Sequence, residues 1–424
     1  MRRWRRPIVG FVSRCLAGST RSTSVQPLPL RPTRSRVPGR THRRPRHVAQ
    51  ADVRVDSVAY PNPNPTLAAA LDRGPIVADG GLSTVLDQLG TPASGPLWTG
   101  EVLVSRPDQV RRAHRAMLDA GAQVVLASGY QVSGRTALLS GRSAATADRL
   151  LVEANRLVRE ARDGWAADAE TSSAASPAPV SAASPAPVSA GCAGRAWVAA
   201  SIGPFGAALA DGSEYQGEYG LTVAALTAFH RERLDVLAAA QASPPTSVDV
   251  WWFETVPDPD EVAALVAGLA PVLAELDVAR LPVPEVIVTM TVGRDGRVPT
   301  GAPIDEALAP MLRLDPTDPA RPVALGVNCC APQDVAPALD RLAMSTDLPL
   351  VAKPNLGGTW DHVAGAFVGA VSDGSSSAGH RPLEAWLDLG ARLIGGCCGT
   401  GTFQLSRIAA QLANLGPAGG HETR

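Results

Sequence analysis

Lysine, cysteine and aromatic residues are scarce in this chain of 424 residues. It has a single lysine, Lys353, six cysteines, and aromatic side chains at only 4% of the sequence. No apolar stretch approaches the roughly 20 residues that a membrane-spanning helix requires, so a membrane protein is not expected. Hydrophobic residues nevertheless make up 45% of the chain, which is typical of a globular protein with a large core.

Acidic residues are absent from the first 50 residues, which carry thirteen arginines. The remaining 374 residues carry 26 basic and 40 acidic side chains, a formal charge of −14, and this acidic body argues against a nucleic-acid partner. We predict that residues 1–60 are a disordered basic arm or the product of a misplaced start site, with a transit peptide as the alternative. The only apolar stretch there, residues 7–13, is too short for a secretory signal. The lack of a secretory signal and the presence of unpaired thiols together favour a cytoplasmic location.

Eight apolar runs of strand length follow residue 70, and most are separated by segments of helical character. Because the runs are continuous rather than alternating, they indicate parallel strands that are buried on both faces. The pattern predicts an α/β protein, a single-domain (β/α)8 TIM barrel over residues 61–416, followed by a tail of residues 417–424. The predicted strands are 75–79, 122–128, 196–203, 249–255, 285–292, 322–329, 348–355 and 391–398; the main predicted helices are 108–120, 144–166, 222–242, 258–276, 332–344 and 403–415.

Two segments do not fit the strand–helix pattern. The Ala/Ser/Pro octapeptide at residues 173–180 is repeated as residues 181–188, so we expect residues 171–190 to be a low-complexity loop inserted into the barrel. Residues 372–380 are expected to be a second, shorter flexible loop.

Polar residues collect at the C-terminal ends of the predicted strands, and two of these ends carry cysteine pairs. The pairs Cys329-Cys330 and Cys397-Cys398 account for four of the six cysteines. Because the active sites of barrels lie at this face, we expect the cysteines and carboxylates to converge there. Two such pairs in one place form a sulfur-rich site that suits zinc.

Three thiolates with an open fourth position would make this zinc catalytic. Such a metal binds another thiol and lowers its pKa, which suits alkyl transfer to sulfur. A structural zinc bound by all four clustered cysteines and a redox-active pair are the alternatives.

Several motifs resemble those of the homocysteine S-methyltransferase family. They are Asp-Gly-Gly-Leu-Ser-Thr at 79–84, Leu-Trp at 97–98, residues 121–124 with 128–131, Phe-Glu-Thr at 253–255, Gly-Val-Asn-Cys at 326–329 and Gly-Gly-Cys-Cys-Gly at 395–399. The resemblance covers roughly residues 70–415 and implies a (β/α)8 barrel. It also implies a Zn²⁺ ion bound by Cys329, Cys397 and Cys398, with the sulfur of homocysteine as the fourth ligand. By its position in the motif, Cys330 is not expected to be a zinc ligand. Its side chain is expected to pack near the zinc site.

The resemblance also implies substrate-binding roles for three polar residues. Asp79 and Glu254 match family positions that bind the amino group of homocysteine, although a turn and a helix cap are their structural alternatives. Asn328 is expected to orient the cysteine ligand at the substrate site, with a structural turn role as the alternative.

The donor site is expected to accept a cation. Residues 201–206 and 209–215 resemble the S-methylmethionine-dependent branch, although Gly-Thr-Gly-Thr-Phe at 399–403 departs from that branch. The candidates to line a sulfonium through their ring faces are Tyr130, Phe205, Tyr215 and Trp252, with core packing as the alternative for each. The histidines His114, His230 and His362 have no motif context and are expected at surface helix positions.

The sequence thus predicts zinc-dependent methyl transfer from a sulfonium, S-methylmethionine or else S-adenosylmethionine, to the zinc-bound thiolate of homocysteine, producing methionine. The alternatives are a selenocysteine or selenohomocysteine acceptor, betaine as the donor, or a non-catalytic barrel with structural zinc. The expected partners are small-molecule substrates, with neither nucleic acid nor membrane. The sequence predicts no particular oligomeric state.

Overall fold

A computed structural model describes residues 65–174, 195–357, 359–361, 366–368 and 381–415. The predicted arm, the tail, residues 372–380 and most of the predicted insertion lie outside these residues. The described residues therefore comprise the barrel and the site that it carries.

Eight parallel strands form the barrel, and a short antiparallel hairpin follows the seventh. The barrel strands are β1 (Ile76–Val77), β2 (Val124–Leu126), β3 (Trp197–Ile202), β4 (Val250–Val256), β5 (Glu285–Met290), β6 (Ala324–Asn328), β7 (Leu350–Lys353) and β10 (Ala391–Ile394); the hairpin is β8 (Thr359–Asp361) and β9 (Ala366–Val368). Neighbouring strands are hydrogen-bonded in the order β1-β10-β7-β6-β5-β4-β3-β2.

The first and second strands bring the two ends of this sheet together. The Gln123 N–H donates to the Val77 carbonyl at 2.8 Å, and Ala78 forms a parallel bridge with Val124. The predicted α/β barrel is confirmed, and each of the eight predicted runs overlaps one of its strands.

Helices surround the barrel. They are α1 (Leu67–Leu71), α2 (Leu82–Gln88), α3 (Thr99–Ser105), α4 (Pro107–Asp119), α5 (Gly134–Leu139), α6 (Ala144–Ala174), α7 (Val223–Ala240), α8 (Pro259–Val278), α9 (Ile304–Leu312), α10 (Pro332–Ala343), α11 (Arg381–Asp388) and α12 (Thr402–Leu415). Proline begins α4, α8 and α10, where its missing N–H leaves no intrahelical bond unmade. The α6 helix is longer than predicted, so residues 171–174 of the predicted insertion are helical. None of the described helices is both long and apolar enough to cross a membrane.

Side chains alternate along each strand between two cores. In β4, Trp251 and Phe253 belong to the core between barrel and helices, whereas Val250 and Trp252 belong to the barrel interior. Both faces of the strand are therefore apolar, which explains why the runs in the sequence are continuous.

The α1 helix covers the N-terminal end of the barrel. Its Leu67 and Leu71 join the interior core, and the Glu285 carboxylate accepts the backbone N–H groups of Leu67 and Ala68 at 2.5 and 2.9 Å. This leaves the C-terminal ends of the strands as the side where a site can form.

The expected surface positions of two histidines are wrong. His114 on α4 and His230 on α7 are both buried, and His362 lies outside the described residues. His230 Nε2 lies 2.8 Å from a Glu261 oxygen and its Nδ1 lies 2.8 Å from Arg233. Because charged partners satisfy its ring nitrogens, the polar residue His230 can lie on the buried face of α7. A prediction from apolar periodicity places such a polar residue on the exposed face.

Candidate active site and metal centre

Three thiols meet at the C-terminal end of the barrel. Cys329 follows β6, whereas Cys397 and Cys398 follow β10. The Cys329 Sγ lies 3.0 Å from that of Cys397 and 3.6 Å from that of Cys398, and all three sulfurs lie within 4.8 Å of one another. Sulfurs bound to one tetrahedral zinc, with Zn–S bonds of about 2.3 Å, would lie roughly 3.8 Å apart. The three thiols could therefore bind a soft metal and leave a fourth position open.

Cys330 is not part of this cluster. Its side chain belongs to the core between barrel and helices, and it is not among the three cysteines whose sulfurs could hold a metal. Burial raises the pKa of its thiol, which keeps the thiol protonated and unreactive.

Glycines allow the ends of β1 and β10 to approach each other. A Cβ at Gly395 would lie 2.6 Å from the Asp79 carbonyl oxygen, and a Cβ at Gly80 would lie 2.5 Å from the Thr400 carbonyl oxygen. In this close packing the Gly396 N–H donates to the Asp79 carbonyl at 3.0 Å. The two motifs around Asp79 and the cysteine pair thus form one continuous wall of the site.

Backbone strain concentrates around the same cavity. Of the seven non-glycine residues with positive φ in the described part of the chain, four line the cavity: Trp98, Ala210, Thr255 and Cys329. Residues held in sparsely populated conformations cluster at functional sites, where the surrounding structure enforces them.

Asn328 supports one of these strained residues. Its Oδ1 accepts the Thr255 N–H at 2.7 Å, and its Nδ2 donates to Thr255 Oγ1 at 2.9 Å. The side chain is fully buried, and among the described residues it makes no hydrogen bond to a cysteine sulfur. These contacts hold the backbone at Thr255, and the expected role of Asn328 in orienting the cysteine ligand stays a prediction.

Two carboxylates and one ammonium group lie beside the thiols. Lys353, at the end of β7, places its Nζ 2.7 Å from Asp79 Oδ1 and 4.0 Å from Glu254 Oε2. The Leu126 N–H donates to Asp79 Oδ2 at 2.8 Å, and the Ser201 hydroxyl donates to Glu254 Oε1. Asp79, Glu254 and Lys353 all line the cavity.

Burial and the lysine act in opposite directions on these carboxylates. Burial raises the pKa of Glu254 to about 7, while the charge of Lys353 opposes that rise. Burial also raises the pKa of Asp79, again against the effect of Lys353. Burial alone would lower the pKa of Lys353, but the two carboxylates hold it above its ordinary value. With both carboxylates ionised, the group carries one net negative charge towards the cavity, which suits an ammonium ligand.

Lys353 was not recognised from the sequence as a site residue. The available signal was its uniqueness: the only lysine of the chain falls at the C-terminal end of a predicted barrel strand.

The four candidate aromatic residues divide into two pairs. Tyr130 and Tyr215 line the cavity, and the Tyr215 hydroxyl lies 3.3 Å from Cys329 Sγ. Burial raises the pKa of Tyr215 well above its ordinary value, so its hydroxyl is a protonated donor.

Trp252 and Phe205 are not among the described residues that line the cavity. Trp252 is fully buried in the barrel interior, where its Nε1 donates to Thr289 Oγ1 at 3.0 Å and its ring lies 5.0 Å from the Lys353 Nζ. The ring of Phe205 packs edge-on against Tyr219 and Phe229, with centroids 5.2 and 5.1 Å away.

The cavity itself has a volume of about 680 Å³, within the range of small-molecule sites. Besides the thiols and the buried charges, its lining includes the acidic residues Asp87, Asp211 and Glu214 and the ring of Trp98. The space suits two small ligands side by side, one of them against the thiols.

A family model described as homocysteine S-methyltransferase matches residues 76–412. This chain belongs to the homocysteine S-methyltransferase family. Homocysteine S-methyltransferase 1 of Arabidopsis thaliana is 33% identical over 341 residues, covering 80% of this chain and 94% of the relative. Homocysteine S-methyltransferase of Escherichia coli K12 is 32% identical over 349 residues, covering 82% and 99%.

A solved structure of the same family shares the fold. The metallated form of the homocysteine methyltransferase MmuM from Escherichia coli superposes with a TM-score of 0.62 at 30% identity, covering 82% of this chain and 99% of that one. The expected family and the expected enzyme class are therefore confirmed, and the thiol cluster lies in a fold that is known in a metallated form.

Proposed function

We propose that the protein is a zinc-dependent enzyme that transfers a methyl group from S-methylmethionine to homocysteine. Both the demethylated donor and the methylated acceptor are then methionine. The observation that carries the proposal is the convergence of three thiols with a buried, negatively charged group in one cavity. Family membership supports homocysteine as the acceptor, since the similar proteins carry that name.

The acceptor would bind against the thiols. Three cysteine sulfurs are soft ligands that suit zinc, and the metallated relative supports a metal here. When bound, zinc would hold the homocysteine sulfur and keep it as a thiolate at neutral pH. Asp79 and Glu254 would bind the ammonium of the substrate, and Lys353 would keep both carboxylates ionised and in position.

The donor would occupy the remaining space. A sulfonium is a cation whose leaving group departs as a neutral thioether, so no general acid is needed. Tyr130, Tyr215 and Glu214 line the cavity, and their rings and carboxylate would stabilise the positive charge. The resemblance of the loop that carries Glu214 and Tyr215 to the S-methylmethionine branch favours that donor, with S-adenosylmethionine as the second candidate.

Unpaired thiols at an open cavity also support a reducing environment. A cytosolic location is therefore part of the proposal.

A panel of substrates tests the assignment. Full-length protein with its zinc content measured would receive homocysteine with S-methylmethionine, S-adenosylmethionine or betaine, and selenocysteine or selenohomocysteine would replace homocysteine in parallel reactions. We expect methionine formation to be fastest with S-methylmethionine and homocysteine. Stoichiometric zinc without turnover on any pair would contradict the proposal and favour a structural zinc.

A further inference from the structure

The cavity exposes the protein's own sulfurs to the electrophile that the proposed reaction requires. Cys329, Cys397 and Cys398 all line it, so a bound methyl donor meets three protein sulfurs besides that of the substrate. Methylation of a protein sulfur would turn a thiolate ligand into a weakly binding thioether. The site therefore needs a means of directing the methyl group to the substrate.

One side chain is positioned to act on Cys329. The Tyr215 hydroxyl lies 3.3 Å from Cys329 Sγ, within hydrogen-bond distance. When Cys329 binds a metal as a thiolate its sulfur has no proton to give, so the phenol is then the donor. A hydrogen bond to a thiolate withdraws electron density from sulfur and makes it a weaker nucleophile.

The loop that presents Tyr215 is firmly held. The Phe205 N–H donates to the buried Glu261 carboxylate at 2.6 Å, and Gly206 packs so closely on Glu214 that a Cβ would lie 2.3 Å from its backbone nitrogen. Because these contacts fix the loop on both sides of its bend, the hydroxyl is held against the sulfur rather than free to swing away.

We propose that Tyr215 is a specificity-determining residue that directs the methyl group to the substrate sulfur by hydrogen-bonding the sulfur of Cys329. The inference rests on the proposed function. In the side reaction that Tyr215 suppresses, an electron pair of the Cys329 sulfur forms the new S–CH3 bond while the sulfonium C–S bond breaks. A neutral thioether leaves, and no proton, oxidant or reductant is required.

Tyr130 offers a matched control. It also lines the cavity, but among the described residues the tyrosine hydroxyl within hydrogen-bond distance of a cysteine sulfur is that of Tyr215. The variants Tyr215→Phe and Tyr130→Phe each remove one hydroxyl from the same cavity and keep the ring.

The test is the methylation of the three cysteines by ¹³C-iodomethane, a neutral reagent that needs neither donor site nor homocysteine. Zinc-loaded full-length protein would be treated, and peptide mass spectrometry would give the ratio of methylation at Cys329 to that at Cys397 and Cys398. We expect Tyr215→Phe to raise this ratio about three- to tenfold, the size given by a hydrogen bond to a charged group and the Brønsted slope of thiolates. The methylation ratio should be the same in wild type and in Tyr130→Phe. An unchanged ratio, or an equal rise at all three sulfurs, would overturn the proposal.

A spectroscopic measurement gives an independent readout. In cobalt(II)-substituted protein, loss of a hydrogen bond to a thiolate ligand shifts the sulfur-to-cobalt charge-transfer band to longer wavelength. We expect this shift in Tyr215→Phe only, and its absence would contradict the proposal. Neither readout uses a sulfonium donor or homocysteine, so a failure of the substrate panel with the shift present would reject the proposed function alone.

Discussion

Lys353 lies between Asp79 and Glu254, with its Nζ 2.7 and 4.0 Å from their carboxylate oxygens. Two buried carboxylates that share a site without a cation tend to bind a proton, which would remove the charge that attracts an ammonium. In the proposed function, the lysine would thus prepare the pocket for a substrate amine.

Replacing this lysine should affect stability and binding separately. Lys353→Met leaves a buried carboxylate without its partner, so we expect a loss of about 3–5 kcal/mol in the free energy of unfolding and a raised KM for homocysteine. Adding Asp79→Asn should recover much of the stability and none of the binding. Denaturant unfolding and steady-state kinetics measure both quantities.

The matched control is Arg111→Met, which breaks the exposed ion pair with Asp108 and should cost less than about 1 kcal/mol. A single Lys353→Met variant as stable as wild type, or a double variant with an unchanged KM, would contradict this role of the lysine.

A substitution in the thiol cluster distinguishes a catalytic role of the metal from a structural one. Cys397→Ser removes one of three clustered sulfurs, so we expect loss of bound zinc and at least a hundredfold lower methyl transfer, with circular dichroism unchanged. Cys330→Ala, outside the cluster, should retain zinc. Unfolding of the Cys397→Ser protein would instead show that the metal holds the fold together.

At the scale of elements, the seam between β1 and β10 determines whether the site forms. It joins the strand that ends at Asp79 to the strand that ends at the cysteine pair, and the Gly396 N–H bonds across it to the Asp79 carbonyl at 3.0 Å. Because Gly395 and Gly80 approach backbone atoms rather than side chains, the neighbours cannot move aside.

A methyl group in this seam should be disruptive. In Gly395→Ala the new Cβ would lie 2.6 Å from the Asp79 carbonyl oxygen, so we expect a large loss of stability and of zinc binding. Gly164→Ala, in α6 with no heavy atom within 4 Å of the new Cβ, should instead stabilise the protein by about 0.5–1 kcal/mol. Thermal unfolding of the two variants measures both stability changes. Similar melting temperatures would contradict the assigned role of the seam.

The α4 helix contains a group that opposes folding in acid. His114 is fully buried, burial lowers its pKa to about 3, and neither ring nitrogen has a partner among the described residues. Since the unfolded chain binds a proton near pH 6.5 and the folded one does not, stability is lost as the pH falls from about 6.5 towards 3.

His114→Leu should remove this pH dependence. We expect the stability gained by the variant to grow by about 2 kcal/mol between pH 8 and pH 5, at up to about 1.4 kcal/mol for each pH unit below 6.5. Urea unfolding of both proteins at the two pH values measures it. A difference that does not change with pH would show that His114 is protonated in the folded protein.

Over the whole molecule, the barrel and the thiol cluster could be predicted because both leave a clear pattern in the linear sequence. Buried parallel strands give continuous apolar runs, and their polar C-terminal ends converge once the barrel closes. The role of Lys353, the partner of Asn328 and the inward turn of His230 could not be predicted in the same way. Each depends on a contact between residues far apart in the chain, such as Asn328 with Thr255. The short helices α1, α2, α3, α5, α9 and α11 have too few turns to show a helical period in the sequence.

The direct test of the central claim, that the thiol cluster is a catalytic metal site for methyl transfer to homocysteine, is the dependence of turnover on bound zinc. Full-length protein would be stripped by a chelator and titrated with zinc, while methionine formation from homocysteine and S-methylmethionine is followed. We predict a rate that rises in proportion to zinc up to one ion per thiol cluster, with circular dichroism constant throughout. Undiminished transfer by metal-free protein, or unfolding on chelation, would contradict it.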